Sequence, residues 1–298
     1  MRRNGSTLPG PRRTPKPQPP LDHPPTGAQV RPMFPIRDHN PATRTPFVTY
    51  ALIAANVAIF LSYAPLFTDD FALYRFFDTW AIIPARVSVG EGSHTLISSM
   101  FLHGGWMHLL GNMLFLFIFG DNVEDKLGHV GYALFYLVSG LGAGLVQVLA
   151  EPGSAIPVVG ASGAIAGVMG GYLLLFPRAR IDIFIFLIII IRVLPVPAWA
   201  MLGLWFGLQV FNGAAAASGT GGVAYWAHAG GFVFGMVLML PVWWRSGGIA
   251  MWRRTHGMPD HPEARYRFIR SDVPPVARTP RAAPRKAPGH VPSIRRRR

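Results

Sequence analysis

Two residue types that are costly in apolar sequence occur here with neighbours that would let them react together. Ser162 lies in Val159-Gly160-Ala161-Ser162-Gly163-Ala164, and His228 lies in Ala227-His228-Ala229-Gly230-Gly231. A serine hydroxyl is a poor nucleophile until a positioned base takes its proton, and an imidazole has the intrinsic proton affinity for that task. The run from Ala164 to Phe176 predicts a helix with Ser162 near its N-terminus, where outward-pointing backbone N–H groups favour a developing negative charge. His108 and Asn112 are spaced i, i+4 and so share one helix face. Both side chains can donate hydrogen bonds, and a pair of such donors suits an oxyanion. Each residue also has a plainer reading: Ser162 as a helix-capping serine, the other three as polar contacts between helices.

No Asp or Glu accompanies Ser162 or His228 in the apolar segments, and a carboxylate at a bilayer centre costs roughly 2.5–3.5 kcal/mol. The pattern therefore implies a Ser–His dyad rather than a triad. It leaves open what orients His228. Metal chemistry fits poorly. His94, His103, His108 and His228 come with no His-Glu-x-x-His, no cysteine and no carboxylate among them, whereas zinc hydrolases combine spaced histidines with a carboxylate. No metal and no cofactor is expected. His94 and His103 read as structural residues at an outer edge.

The elements that must bring these groups together carry stripes of small residues. Gly163, Gly167 and Gly171 recur every four positions, as do Ala227, Gly231 and Gly235. Such stripes let membrane helices pack closely. If the two stripes face each other, Ser162 and His228 meet.

Composition agrees with a membrane setting. Only 14% of the 298 residues are charged and mean hydropathy is +0.30, against roughly 25% charged in soluble domains. Residues 1–46 hold eight of the 28 basic residues and residues 245–298 hold fourteen. The same two ends hold 20 of the 28 prolines. The reading is a core over residues 47–244 between two disordered, basic, Pro-rich tails. Six apolar stretches approach the ~20 residues that a bilayer needs: 47–67, 101–119, 130–150, 157–176, 194–212 and 223–244. The apolar run Ile181–Ile191 is too short to span and reads as a membrane-surface or hairpin connection. Six spans put both tails, Lys126, Arg178, Arg180 and Arg192 on one side, and Arg75 and Arg86 on the other. The positive-inside rule then makes both termini cytoplasmic. No removable signal peptide is apparent, and the prolines of the first 46 residues disfavour an amphipathic transit peptide.

Taken together, these motifs resemble the rhomboid family. His103-Gly-Gly-Trp-Met-His108-Leu-Leu-Gly-Asn112 is similar to its second-span motif, Gly160-Ala161-Ser162-Gly163 to its nucleophile motif, and Ala227-His228-Ala229-Gly230-Gly231-Phe232-Val233-Phe234-Gly235 to its final helix. The resemblance covers roughly residues 47–244. It implies an all-α, six-helix polytopic bundle that acts as an intramembrane serine endopeptidase in the cell (inner) membrane. It implies Ser162 as nucleophile and His228 as general base. It also implies His108 and Asn112 as oxyanion-stabilising side chains, with Gly160 and the Ser162 backbone nearby. Its substrates would be single-span membrane proteins, cut where their helix is locally unwound. Two positions depart from the pattern of some members. His94-Thr95 stands nearest to a Trp-Arg pair, and Ala166 stands where a tyrosine stacks on the histidine. Two other functions compete: a non-catalytic binder of single-span clients, and a transporter or channel, for which intramembrane charges are few. The basic tails read chiefly as topology determinants, with anionic-lipid contact as the alternative. Nothing specific points to nucleic acid.

Overall fold

The computed structural model describes residues 33–187, 190–216 and 223–259. It is mostly helical. In chain order the helices are α1 (Phe47–Tyr63), α2 (Asp70–Trp80), α3 (Pro84–Val87), α4 (Thr95–Ser98), α5 (Trp106–Ala150), α6 (Ser162–Leu175), α7 (Ala198–Ala215), α8 (Tyr225–Arg245) and α9 (Ile249–Thr255). Among the described residues three segments are long and apolar enough to cross a membrane: Phe47–Thr68, Trp106–Ala150 and Tyr225–Arg245. Leu61, Leu110, Phe117, Leu134 and Val237 on these helices are exposed, which suits a lipid surrounding. The expected stretches 101–119 and 130–150 are the two arms of α5, separated at Gly128, whose φ of +70° and ψ of 166° are not helical. Only glycine adopts that conformation without a steric cost.

Helix ends are closed by side chains that the sequence supplies. Asp69 caps α2 by accepting from the N–H groups of Phe71 (3.1 Å) and Ala72 (3.0 Å). The first turn of α1 is capped from a distance. Glu124 of α5 accepts from Val48 N (2.9 Å), Thr49 N (2.8 Å) and Thr49 Oγ1 (2.7 Å), and His129 Nδ1 lies 2.6 Å from its Oε1. These contacts satisfy donors that a helix start leaves open.

α6 sits in the middle of the bundle. Twelve of its fourteen residues are buried, including Ile165, Met169 and Tyr172. Phe60, Leu116, Phe119, Tyr132 and Tyr136 belong to the fully buried core around it. α7 is the opposite case: of its eighteen residues only Ala198, Leu202 and Gly213 are buried.

Three findings amend the expected architecture. First, the fold is not purely helical. β1 (Met33–Asp38), β2 (Arg180–Leu187) and β3 (Ile190–Pro197) form an antiparallel sheet in the order β1-β2-β3. The segment read as a surface or hairpin connection pairs as a hairpin, with Ile183 opposite Leu194. Second, the region expected as a tail over 1–46 contributes β1, which pairs with β2 from Met33 to Asp38. Buried Asp182 fixes this pairing, accepting from Arg37 Nε (2.6 Å) and His39 Nε2 (2.7 Å). Burial pushes the Asp182 carboxyl up, but those hydrogen bonds and charges outweigh it and hold it below the usual carboxylate range. Asp38 accepts from Tyr172 Oη of α6 (2.8 Å), and burial pushes its carboxyl up to about 7. Third, order continues beyond residue 244 into α9, where Met251 is buried and Trp252 Nε1 donates to Leu174 O (3.1 Å). Charge and proline counts average over whole segments and miss short apolar pieces that dock on the bundle end. Residues 1–32 and 260–298 of the expected tails lie outside the described residues.

Candidate active site

α6 and α8 approach each other along their glycines. A Cβ at Gly231 would overlap the carbonyl of Gly163, and one at Gly235 would overlap the backbone of Gly167. The two small-residue stripes therefore do face each other. α5 joins the same seam: a Cβ at Gly163 would come 2.6 Å from Ala143 Cβ of α5. Helix axes this close leave short side chains within reach across the seam.

Ser162 is the first residue of α6, and His228 lies in the first turn of α8. Ser162 Oγ is 2.8 Å from His228 Nε2. On the far side of the ring, His228 Nδ1 is 2.9 Å from Gln209 Oε1 of α7. An amide oxygen only accepts, so Nδ1 carries the proton and Nε2 offers its lone pair to the serine hydroxyl. This is the tautomer that can take a proton from Ser162. Trp205, one turn before Gln209, places its ring centroid 5.9 Å from that of His228 at an interplanar angle of 35°. The sequence reading missed both α7 residues. A glutamine inside an apolar segment was the available signal, since intramembrane polar groups need partners.

His108 and Asn112 open onto the same site. Gly104 N donates to His108 Nδ1 (3.2 Å), so the proton of a neutral His108 resides on Nε2. That nitrogen faces the space beside Gly160. A Cβ at Gly160 would stand 2.9 Å from His108 Nε2 and 3.3 Å from Ser162 Oγ. With φ at +130°, the position is also one that favours glycine. Gly160 thus leaves a gap between the hydroxyl and an N–H donor. Its own N–H is engaged by Ser99 O (2.9 Å), so what Gly160 offers there is room. Asn112 is buried, and its Nδ2 has no hydrogen-bond partner. A cavity of about 420 Å³ joins these groups, lined among others by His108, Asn112, Ser162, Trp205 and His228.

His103 and His94 stay outside this arrangement. The backbone of His103 is clamped by Tyr63 Oη, which accepts from its N–H (2.6 Å) and donates to its carbonyl (2.9 Å). Its buried ring lies 5.2 Å from that of His108, edge to face. His94, just before α4, has its Nε2 3.2 Å from Thr79 O near the end of α2. Among the described residues no group of three or more His, Asp or Glu side chains is placed to hold a metal ion.

The residues of this site fall within a match to a known family. A family model for the rhomboid domain matches residues 91–245, which is 155 of 298 positions. The match begins after α2, so it is shorter at its start than the 47–244 resemblance. Rhomboid protein 1, mitochondrial, of Saccharomyces cerevisiae is 31% identical over 195 residues, covering 64% of this chain and 51% of its own length. Rhomboid-like protein 11, chloroplastic, of Arabidopsis thaliana is 45% identical over 74 residues, covering 25% of this chain and 26% of its own. The rhomboid protein YdcA of Bacillus subtilis is 39% identical over 128 residues, covering 43% and 61%. The chain thus spans about half the length of the first relative, about a quarter of the second and under two thirds of the third. It belongs to the rhomboid family and is a multi-pass membrane protein.

Proposed function

We propose that this member of the rhomboid family is an intramembrane serine endopeptidase that cuts single-span membrane proteins within or near the bilayer. The observation that carries the reading is the 2.8 Å contact between Ser162 Oγ and His228 Nε2 in an open cavity. It is a nucleophile and base already within proton-transfer distance.

The chemistry is acyl transfer. Ser162 Oγ attacks the peptide carbonyl carbon while its proton passes to His228 Nε2. The carbonyl oxygen becomes an oxyanion in the gap beside Gly160, where His108 Nε2–H and Asn112 Nδ2–H donate to it. Collapse breaks the C–N bond, and the imidazolium returns its proton to the leaving amine. Water then attacks the acyl ester with His228 again as base. This releases the new carboxyl terminus and restores Ser162. An intact substrate helix hides its carbonyls in hydrogen bonds, so the cleaved segment must unwind first.

Six spans follow if Gly128 divides α5 into two crossings and α6 and α7 are counted beside α1 and α8. In that arrangement both ends of the chain are cytoplasmic and the protein lies in the cell (inner) membrane. The excess of Arg and Lys on that side supports this orientation. The protease domain corresponds to residues 47–244, with β1 and α9 docked at its edge. The basic residues of the flanking segments set topology.

The test is a serine-directed fluorophosphonate on the full chain in detergent or liposomes, together with cleavage of a single-span substrate. Wild type is expected to be labelled and to cleave, whereas Ser162→Ala does neither. Cleavage by Ser162→Ala at the wild-type rate would overturn the assignment.

A further inference from the structure

The bundle contains a Ser–His pair with no carboxylate behind the histidine, yet the imidazole is not left to choose its own orientation. We infer that Gln209 is a positioning residue for the proposed reaction, holding His228 in the tautomer and ring plane that accept the serine proton. The inference rests on the Ser162–His228 reading and adds to it.

Three observations support this role. Gln209 Oε1 is 2.9 Å from His228 Nδ1, on the opposite edge of the ring from Ser162. A neutral imidazole whose proton sat on Nε2 would point a donor at the serine hydroxyl and could not act as its base. An acceptor at Nδ1 excludes that form. Second, no acidic or basic side chain other than His108 and His228 lines the cavity, so among those residues no carboxylate is placed to orient His228. Third, Trp205 and Gln209 are spaced i, i+4, so one face of α7 presents both to the imidazole. The ring is flanked by an indole where some relatives' pattern would supply a tyrosine from α6, the position occupied here by Ala166.

A neutral amide suits this setting. It fixes the tautomer as a carboxylate would, without placing a full charge among apolar helices. It also assigns a task to α7 that its packing would not suggest. The helix has few buried residues, yet the orientation of the base depends on its being docked. A displacement of α7 away from α8 would leave Ser162 and His228 on their own helices and still remove the hold on the ring.

Gln209→Met keeps the length of the side chain and removes the acceptor. Gln209→Glu keeps an acceptor oxygen at the same reach. On the full chain in liposomes, Gln209→Met is expected to lower kcat for a single-span substrate, and the fluorophosphonate labelling rate, by roughly tenfold or more, since general-base catalysis is worth 10²–10⁴-fold. KM and the thermal midpoint should stay near wild type. Gln209→Glu should recover most of both rates. Gln209→Leu serves as a parallel apolar variant should Met fold poorly. Activity of the apolar variants within about twofold of wild type would overturn the inference, as would a Gln209→Glu variant as slow as Gln209→Met, because a packing role does not distinguish acceptors. If Ser162→Ala cleaves like wild type in the same assay, it is the protease reading that fails, which separates the two claims.

Discussion

α6 and α7 both serve the same imidazole and are held by opposite means. α6 is buried on nearly all sides, and its glycines let α5 and α8 press against its backbone. Ser162 and His228 are placed by that seam, through main-chain contacts that cannot shift without unpacking the core. α7 leaves most of its surface uncovered, and it reaches His228 through the ends of two long side chains. Distance is therefore set by the rigid pair, and orientation by the loosely covered neighbour. A site divided in this way can lose its alignment without losing its fold.

That contrast can be broken or sharpened by substitution. The largest effect is expected in the seam. Gly235→Val drives side-chain atoms into the Gly167 backbone, and overpacking of this kind costs about 3 kcal/mol or more when backbone must move. Purified variant should show a much lower thermal midpoint and no cleavage. A wild-type midpoint would refute close apposition of the two helices. Next are the donors that α5 holds against the seam. Asn112→Ala should lower kcat about 10²-fold with KM little changed, the behaviour of a group used only in the transition state. A pure KM effect would instead make Asn112 a binding contact.

Smaller effects are expected around α7. The sheet that leads into it is tied by Asp182, whose carboxyl is held below the usual range in the folded state. The sign follows from that direction. The stability contributed by this group is present above its unfolded value of about 4 and is lost as pH falls through the lower folded value. Wild type should therefore lose more thermal stability than Asp182→Asn between pH 5 and pH 3, and parallel curves would show that the tie contributes nothing. The smallest effect is at Gly207 of α7, where an added Cβ meets nothing within 4 Å. Gly207→Ala should be tolerated, with a gain of at most about 1 kcal/mol from helix propensity. A large loss there would mean that α7 is more tightly packed than its exposure indicates.

Much of this was legible in the sequence, because the strongest constraints are local or periodic. Glycines four residues apart mark a helix face, and a serine just after Gly160 and before a helical run marks an N-terminus. Those two patterns would bring Ser162 and His228 together only if the stripes faced each other, which α6 and α8 do. Gln209 was not legible. Its partner lies nineteen residues away across a connection, and nothing in the spacing says which face of α7 meets α8. β1 was hidden for a related reason. Strand pairing between residue 34 and residue 184 joins segments 150 positions apart, and composition assigned the first of them to a proline-rich tail. Gly160 was singled out for nearness to the oxyanion, but its N–H is engaged by Ser99 from the segment before α5, which the motif does not contain.

The reach of Glu124 has a consequence for assembly. The first turn of α1 draws its acceptors from a carboxylate some 75 positions later in the chain, and His129, just past the break at Gly128, joins the same group. Synthesis runs from the N-terminus, so α1 is made well before its cap exists. Until both arms of α5 have arrived, the amides of Val48 and Thr49 must rely on water or headgroups. The earliest long helix among the described residues is then finished only once α5 has been made, and a substitution at position 124 should show itself in the yield of assembled protein more than in the chemistry of the finished site.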